Sequence, residues 1–195
     1  MNQRVFDSLA TLKRRDIEVR SRLLKQGKLY GDYAPEMQQV HCENAFELEK
    51  IIAEHGWPGI ALVGLQGCQT AWFVAQHSIC TPELQRKFLT LLTDAAGRGD
   101  APKKQLAYLE DRIRANENRP QLYGTVLDWN ERGELGCDVE DPDNLDARRA
   151  QVGLPPYLEE LQKHKSEVAS EGGKPPKDFA AYKRKARAWA KSVGW

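Results

Sequence analysis

His77 is the residue of this chain whose type and position most readily suggest chemistry. It stands beside Gln76 near the end of residues 55–82, which contain no Asp, Glu, Lys or Arg although these four types make up 29% of the sequence. An imidazole exchanges protons near neutral pH, so His77 could act as a general acid or base. A histidine on an apolar helix is equally often a hydrogen-bonded core residue. Gln76 favours a polar site, because it adds a second side chain that needs partners.

Asp111 is the carboxylate that we expect to pair with His77. It lies in the helix predicted for residues 101–116, on the face opposite the Leu and Ile residues, and its neighbours there are alanine and tyrosine. A carboxylate held inside a protein needs a cation or several donors. In a catalytic site Asp111 would orient His77 and Arg112 would bind an anion; otherwise Asp111 forms a structural ion pair. We predict that His77, Asp111 and Arg112 are catalytic.

Seven further polar residues are candidates for binding a small polar or anionic molecule. His41 and Asn44 are one helical turn apart and project from one face of the second predicted helix. Strand alternation places Gln121, Tyr123 and Thr125 on one face, a pattern equally typical of a hydrogen-bonded strand start. Arg149, on a short predicted helix, could bind an anion in place of Arg112. The predicted binding residues are therefore His41, Asn44, Gln76, Gln121, Tyr123, Thr125 and Arg149.

The sequence carries no established cofactor-binding pattern. Two histidines, a carboxylate and an amide could in principle bind Zn²⁺ or Fe²⁺, but no His-x-x-x-His or Glu-x-x-His pair supports a metal site. The chain also lacks a Gly-x-Ser-x-Gly nucleophile motif, a phosphate-binding loop and a dinucleotide fingerprint. We therefore predict no metal ligands and no cofactor.

The apolar periodicity predicts the scaffold for these residues, a mainly α, single-domain bundle of helices. Its centre is a helix at about residues 66–80 that is apolar on nearly every side and is therefore surrounded by the others. A small β-hairpin is predicted near residues 121–139, and a turn at residues 29–33 precedes the second helix. The remaining predicted helices cover residues 2–26, 35–54, 82–96, 101–116, 145–152, 156–168 and 177–195.

A Gly- and Pro-containing stretch at residues 170–176 is the best linker candidate in the chain. It divides a helical domain at residues 1–169 from a C-terminal amphipathic helix at residues 177–195. The aromatic residues of that helix fall on one stripe and its many basic residues lie elsewhere. We therefore expect the aromatic stripe to dock on the domain and the basic face to be solvated.

Charge and cysteine usage narrow the class of protein. There are 29 basic and 28 acidic residues, so no overall field attracts nucleic acid or an acidic membrane, and we expect a small-molecule partner instead. No apolar run is long enough to span a bilayer, and the first residues lack the apolar segment of a secretory signal peptide. We therefore expect a cytoplasmic protein. The four cysteines show no Cys-x-x-Cys spacing, which predicts free thiols. The oligomeric state is not predicted.

Six ordered motifs resemble those of a widespread bacterial domain family of unknown function. In this chain they read His41-x-x-Asn44, His55-Gly-Trp-Pro58, Gln76-His77, Ala107-Tyr-Leu-Glu-Asp111-Arg112, Gln121-x-Tyr-Gly-Thr125 and Asp146-x-Arg-Arg149-x-x-x-Gly-Leu-Pro. The likeness covers about residues 15–160 and implies a single, mainly helical domain, but no particular reaction. The chain has Val126 and Ser78 where the family often has Gln and Ala, so its binding preference differs if these positions border a pocket.

Two functions from different classes are compatible with these residues. The first is an enzyme, such as a hydrolase, or a binding domain that acts on a small polar or anionic molecule between the central helix, the Asp111 helix and residues 121–125. The second is a non-catalytic interaction module, such as an adaptor or a toxin- or immunity-associated protein. In the second case the polar residues form a structural network and the partner binds an exposed surface.

Overall fold

The structure is a computed structural model that describes residues 1–29 and 33–195. Its helices and strands are, in chain order, α1 Gln3–Lys25, α2 Pro35–His55, α3 Ile60–His77, α4 Pro82–Gly97, α5 Lys103–Asn116, β1 Asp128–Trp129, β2 Leu135–Gly136, α6 Leu145–Gln151, α7 Tyr157–Ser170 and α8 Phe179–Val193. A 3₁₀ turn at Pro142–Asn144 precedes α6. The prediction of a mainly α fold with a small hairpin is confirmed. The turn predicted at residues 29–33 lies largely outside the described residues.

The central position of α3 is confirmed, although its ends differ from the predicted ones. The helix packs against α1, α2, α4 and α5, and Val63, Cys68 and Ala71 are completely buried. It begins at Ile60 rather than near residue 66, because Gly64 adopts a left-handed backbone (φ +71°) that joins two helical segments at a bend. It ends at His77 because the next residues form a turn that leads into Pro82 at the start of α4.

The hairpin is shorter than the sequence predicted. Only Asp128–Trp129 and Leu135–Gly136 pair as antiparallel strands, and Gln121 forms an isolated bridge with Val139. Extended structure does not begin at residue 121, because the backbone N–H groups of residues 122, 123 and 125 donate to the side chain of Asp111 instead of to another strand. The segment that looked like a strand is a loop wrapped around a carboxylate.

The last helix, α8, lies on the surface of the bundle. Its N-terminus is capped by Asp178, whose side chain accepts a hydrogen bond from Ala181 N, and none of its residues is fully buried. Trp189 Nε1 donates to Gln38 Oε1 of α2 at 3.1 Å, and Trp195 Nε1 donates to Ile79 O at 2.7 Å. Indole hydrogen bonds from α8 and from the residue that ends the chain therefore hold this segment on the body.

The prediction of four free thiols is wrong for one pair. Cys42 of α2 and Cys80, which follows α3, are joined in a disulfide with Cα atoms 5.9 Å apart, while Cys68 and Cys137 are free. The two partners are 38 residues apart and become neighbours because α2 packs along α3, which sequence spacing does not reveal. Among the described helices none combines the length and the apolar character that crossing a membrane requires.

Candidate functional site

Three side chains from three helices meet on one side of the bundle and form what we call the His–Asp cluster: Asp16 of α1, His41 of α2 and His77 of α3. His77 Nδ1 is hydrogen-bonded to Asp16 Oδ2 at 2.8 Å, and His41 Nε2 lies 3.0 Å from the same oxygen. Asp16 is 1% exposed, whereas 29% of the His77 side chain remains exposed. The cluster is therefore closed on the Asp16 side and open at His77.

Helical periodicity explains why these side chains converge. Asp16 continues the buried stripe of α1, which includes Leu9, Leu12 and Leu23, so a carboxylate occupies a position where an apolar residue is expected. His41 lies on the buried face of α2, and His77 is the last residue of α3. Sequence reasoning found both histidines and missed Asp16. The signal that could have found it is a lone acid in register with an apolar stripe.

Aromatic residues fix the two imidazole rings. Tyr33 OH is hydrogen-bonded to Nδ1 of His41, while Nε2 of the same ring lies next to the Asp16 carboxylate. The ring of Phe73, one helical turn before His77, lies with its centroid 4.2 Å from that of His77. Trp189 of α8 packs edge-on against Tyr33 at a centroid distance of 5.1 Å. The orientation of each imidazole is thus set by neighbours in the fold.

Burial and hydrogen bonding shift the pKa values of Asp16 and His77. Burial alone would raise the pKa of Asp16, but its interactions with His41 and His77 outweigh this effect and hold the pKa well below its ordinary value. Burial lowers the pKa of His77, although the neighbouring Asp16 opposes the change. These effects favour an ionised Asp16 carboxylate beside a neutral His77 imidazole.

Arg112 of α5 is a cation whose charge is not balanced by any carboxylate among the described residues. Within the described part of the chain no carboxylate forms an ion pair with it, and its Nε is buried without a hydrogen-bond partner. Burial lowers the pKa of this guanidinium, as expected for a charge in a poorly solvated environment. Its positive charge also acts to lower the pKa of both Tyr33 and His77, so Arg112 is within electrostatic reach of the cluster.

Two of the cavities beside α8 open this region to small molecules. One, of about 730 Å³, is lined by the His–Asp cluster and Tyr33, and the other, of about 710 Å³, is lined by Arg112 and Asn116. The side chains that line both cavities belong to α8: Tyr182, Ala186 and Trp189. The last helix therefore borders both the cavity at the histidines and the cavity at Arg112.

The predicted pairing of His77 with Asp111 is corrected by the structure, in which His77 is bound to Asp16. Asp111 is fully buried and accepts hydrogen bonds at 2.7–3.2 Å from the N–H groups of Leu122, Tyr123 and Thr125 and from the Thr125 hydroxyl. Burial raises the pKa of Asp111, against the lowering effect of these hydrogen bonds. The carboxylate that looked catalytic organises a loop.

Arg149 completes the network around that loop. It is fully buried and donates to Pro155 O at 2.6 Å, to Tyr123 O and to Glu160 Oε2. The side-chain amide of Gln121 is likewise hydrogen-bonded within its own loop: it donates to Val126 O at 2.7 Å and accepts from Val126 N at 2.9 Å. Of the predicted site residues, Asp111, Gln121, Tyr123, Thr125 and Arg149 thus form one group, which we call the loop network.

The two remaining predicted residues bind the backbone of neighbouring helices. Asn44 Nδ2 donates to Leu12 O at 2.9 Å and links α2 to α1 next to the cluster. Gln76 Nε2 donates to Tyr108 O at 3.2 Å and links α3 to α5. The structure therefore brings His41 and His77 together, with Arg112 in electrostatic reach of His77, and it places the loop network in separate contacts.

Comparison with known proteins identifies a family but no characterised relative. Residues 9–169 match the sequence profile of a family of unknown function, DUF6624, and no curated protein or solved structure matches the chain. The matched segment includes Asp16, His41, His77 and Arg112 and ends before α8. Because the match covers most of its length, the chain belongs to the DUF6624 family, whose function is unknown.

Proposed function

We propose that the protein binds a small anionic molecule beside α8 and that the His–Asp cluster acts on the bound molecule, with hydrolysis as the reaction. The proposal rests mainly on Arg112, which lacks an anionic partner among the described residues. A partly buried, uncompensated charge destabilises a protein, and an apolar residue of similar volume would fit at lower cost. An anionic ligand would supply the missing charge and remove that cost.

Asn116 supports the same assignment. It follows Arg112 by four residues on α5, so the two side chains project from the same face of the helix, and both line the same cavity. Its Nδ2, like Arg112 Nε, is buried without a hydrogen-bond partner. Two unsatisfied donors side by side are suited to the oxygen atoms of a phosphate or a carboxylate.

The His–Asp cluster would supply the reactive group. A carboxylate with two imidazoles can accept a proton from a water molecule, or hold a metal ion that makes bound water nucleophilic. Either chemistry fits hydrolysis of an anionic substrate long enough to reach from Arg112 in one cavity to the His–Asp cluster in the other. A small-molecule partner remains a prediction of the same proposal. The location in the cytoplasm, predicted from the sequence, disagrees with the Cys42–Cys80 disulfide, because disulfides are rare in reducing compartments.

Replacement of Arg112 tests the anion site. We expect inorganic phosphate or malonate, titrated calorimetrically, to bind the wild-type chain, and Arg112→Met to weaken this binding by at least about tenfold, equivalent to about 1.4 kcal/mol. The unfolding free energy of Arg112→Met should stay equal to that of the wild type or rise, because the substitution removes an unpaired charge.

Arg114→Met is the matched control on the same helix. Arg114 is paired with Glu110 and Glu140, so its loss should leave anion affinity unchanged. Equal loss of affinity in both variants, or no binding of either probe to the wild type, would contradict the anion site. A fall of several kcal/mol in the stability of Arg112→Met would instead assign Arg112 a structural role and favour the interaction-module hypothesis.

A further inference from the structure

We propose that Asp16, His41 and His77 bind one divalent transition-metal ion, zinc or iron, through the Asp16 carboxylate, His41 Nε2 and His77 Nδ1. Metal binding is a property of the His–Asp cluster alone and goes beyond the anion site; only its use in hydrolysis rests on the proposed function. The candidate ligand atoms all lie within 4.8 Å of one another. They come from three different helices, so the fold itself creates the group.

The spacing of the three atoms suits a metal ion. Zn–N and Zn–O bonds of about 2.0–2.1 Å in a tetrahedral site place neighbouring ligand atoms roughly 3.3 Å apart. Asp16 Oδ2 lies 3.0 Å from His41 Nε2 and 2.8 Å from His77 Nδ1. Small outward movements of the side chains would open these distances to the metal-bound values.

Hydrogen bonding alone does not satisfy the cluster. Asp16 Oδ1 and His41 Nε2 are both buried and have no hydrogen-bond partner, since the 3.0 Å contact of His41 Nε2 with Asp16 lacks hydrogen-bond geometry. Leaving two such atoms unsatisfied costs free energy in a protein interior. Both are atom types that bind zinc and iron, and a metal ion at the cluster would use them.

The surroundings resemble those of a ligated histidine. In metal sites the second ring nitrogen of a histidine is usually held by a hydrogen bond that fixes the tautomer and the ring plane. Tyr33 OH occupies that place at His41 Nδ1 and leaves Nε2 free to face Asp16. In the tautomer whose Nδ1–H donates to the phenol oxygen, His41 offers the lone pair of Nε2 to an ion at the cluster.

The donor set indicates both the kind of metal and its role. Two nitrogen atoms and one carboxylate favour zinc or iron, whereas magnesium and calcium prefer oxygen ligands. Three protein ligands leave at least one coordination position open, which distinguishes a catalytic site from a closed structural one. The cluster lines the cavity of about 730 Å³, so a water molecule or a substrate could reach that position.

Metal content and cobalt titration test the proposal directly. The full chain, stripped with a chelator and titrated with Co²⁺ in a buffer without phosphate, should bind one equivalent with the visible absorption of a nitrogen- and oxygen-coordinated ion. His77→Ala, chosen because this side chain is partly exposed and the variant should fold, is expected to weaken binding by about 100-fold or more. Tyr33→Phe should weaken it by about 10–100-fold, because it removes only the outer hydrogen bond.

His55→Ala and His164→Ala are the controls, since neither residue belongs to the cluster. Both should bind Co²⁺ like the wild type. Substoichiometric binding, or equal affinities for the wild type and His77→Ala, would overturn the metal site and leave the cluster as a metal-free acid–base group. Arg112→Met should still bind one equivalent of Co²⁺, at least as tightly as the wild type because a nearby positive charge is removed, so failure of the anion site and failure of the metal site are separate results.

Discussion

Replacing Asp111 with alanine is expected to lower the free energy of unfolding by about 3–5 kcal/mol, measured by urea denaturation. The substitution removes the acceptor of three backbone N–H groups in residues 122–125 and of the Thr125 hydroxyl. Each buried donor left without an acceptor costs about 1–3 kcal/mol, and partial hydration of the loop limits the sum. We also expect the loop to become sensitive to proteases, because these hydrogen bonds hold its backbone in place.

Two variants separate the loss of the hydrogen-bond network from the loss of any aspartate. Asp146→Ala removes an exposed carboxylate that accepts one backbone hydrogen bond, from Tyr157 N at 2.7 Å, and should cost about 1 kcal/mol. Asp111→Asn keeps one acceptor oxygen, so its loss of unfolding free energy should lie between those of Asp111→Ala and Asp146→Ala. A cost below about 1 kcal/mol for Asp111→Ala would show that the loop does not depend on this side chain.

The contrast between Asp111 and Asp16 shows what helical periodicity can and cannot predict. Periodicity indicated that Asp111 leaves the apolar stripe of α5 yet meets protein rather than water, and the residue is indeed fully buried. It could not identify the partner, because the loop that binds Asp111 is irregular and was mistaken for a strand. Asp16 was missed for the opposite reason: it lies within an apolar stripe and resembles one of many charged residues on α1.

The same limit applies to the arginines. Arg112 and Arg149 both looked like anion clamps in the sequence, where each follows an aspartate or arginine in a polar helix segment. Only tertiary contacts distinguish them, because Arg149 is bound by Glu160 and two carbonyl groups while Arg112 has no such partners among the described residues. Contacts between residues far apart in the sequence, such as that of His41 with His77, determine which of the predicted site residues can still bind a ligand.

Ending the chain after residue 176 is expected to expose the His–Asp cluster while leaving the helical core folded. The truncation removes α8, which contains no fully buried residue, so the unfolding free energy should fall by only about 1–2 kcal/mol. It also removes the wall that α8 gives to both cavities. Carbethoxylation of His41 and His77, followed by mass spectrometry, should become roughly tenfold faster, which corresponds to about 1.4 kcal/mol less protection.

Two tryptophan variants test whether the effect comes from the wall itself rather than from a general loosening of the protein. Trp189 lines both cavities and packs on Tyr33, so Trp189→Ala should reproduce part of the increase in the modification rate. Trp195 contacts Arg86 and Ile79 instead, so Trp195→Ala should leave the rates at His41 and His77 unchanged. His55 and His164 serve as internal references in every sample. If Trp195→Ala accelerates modification as much as Trp189→Ala does, α8 protects the histidines by stabilising the whole fold, and access to the cluster does not depend on its wall.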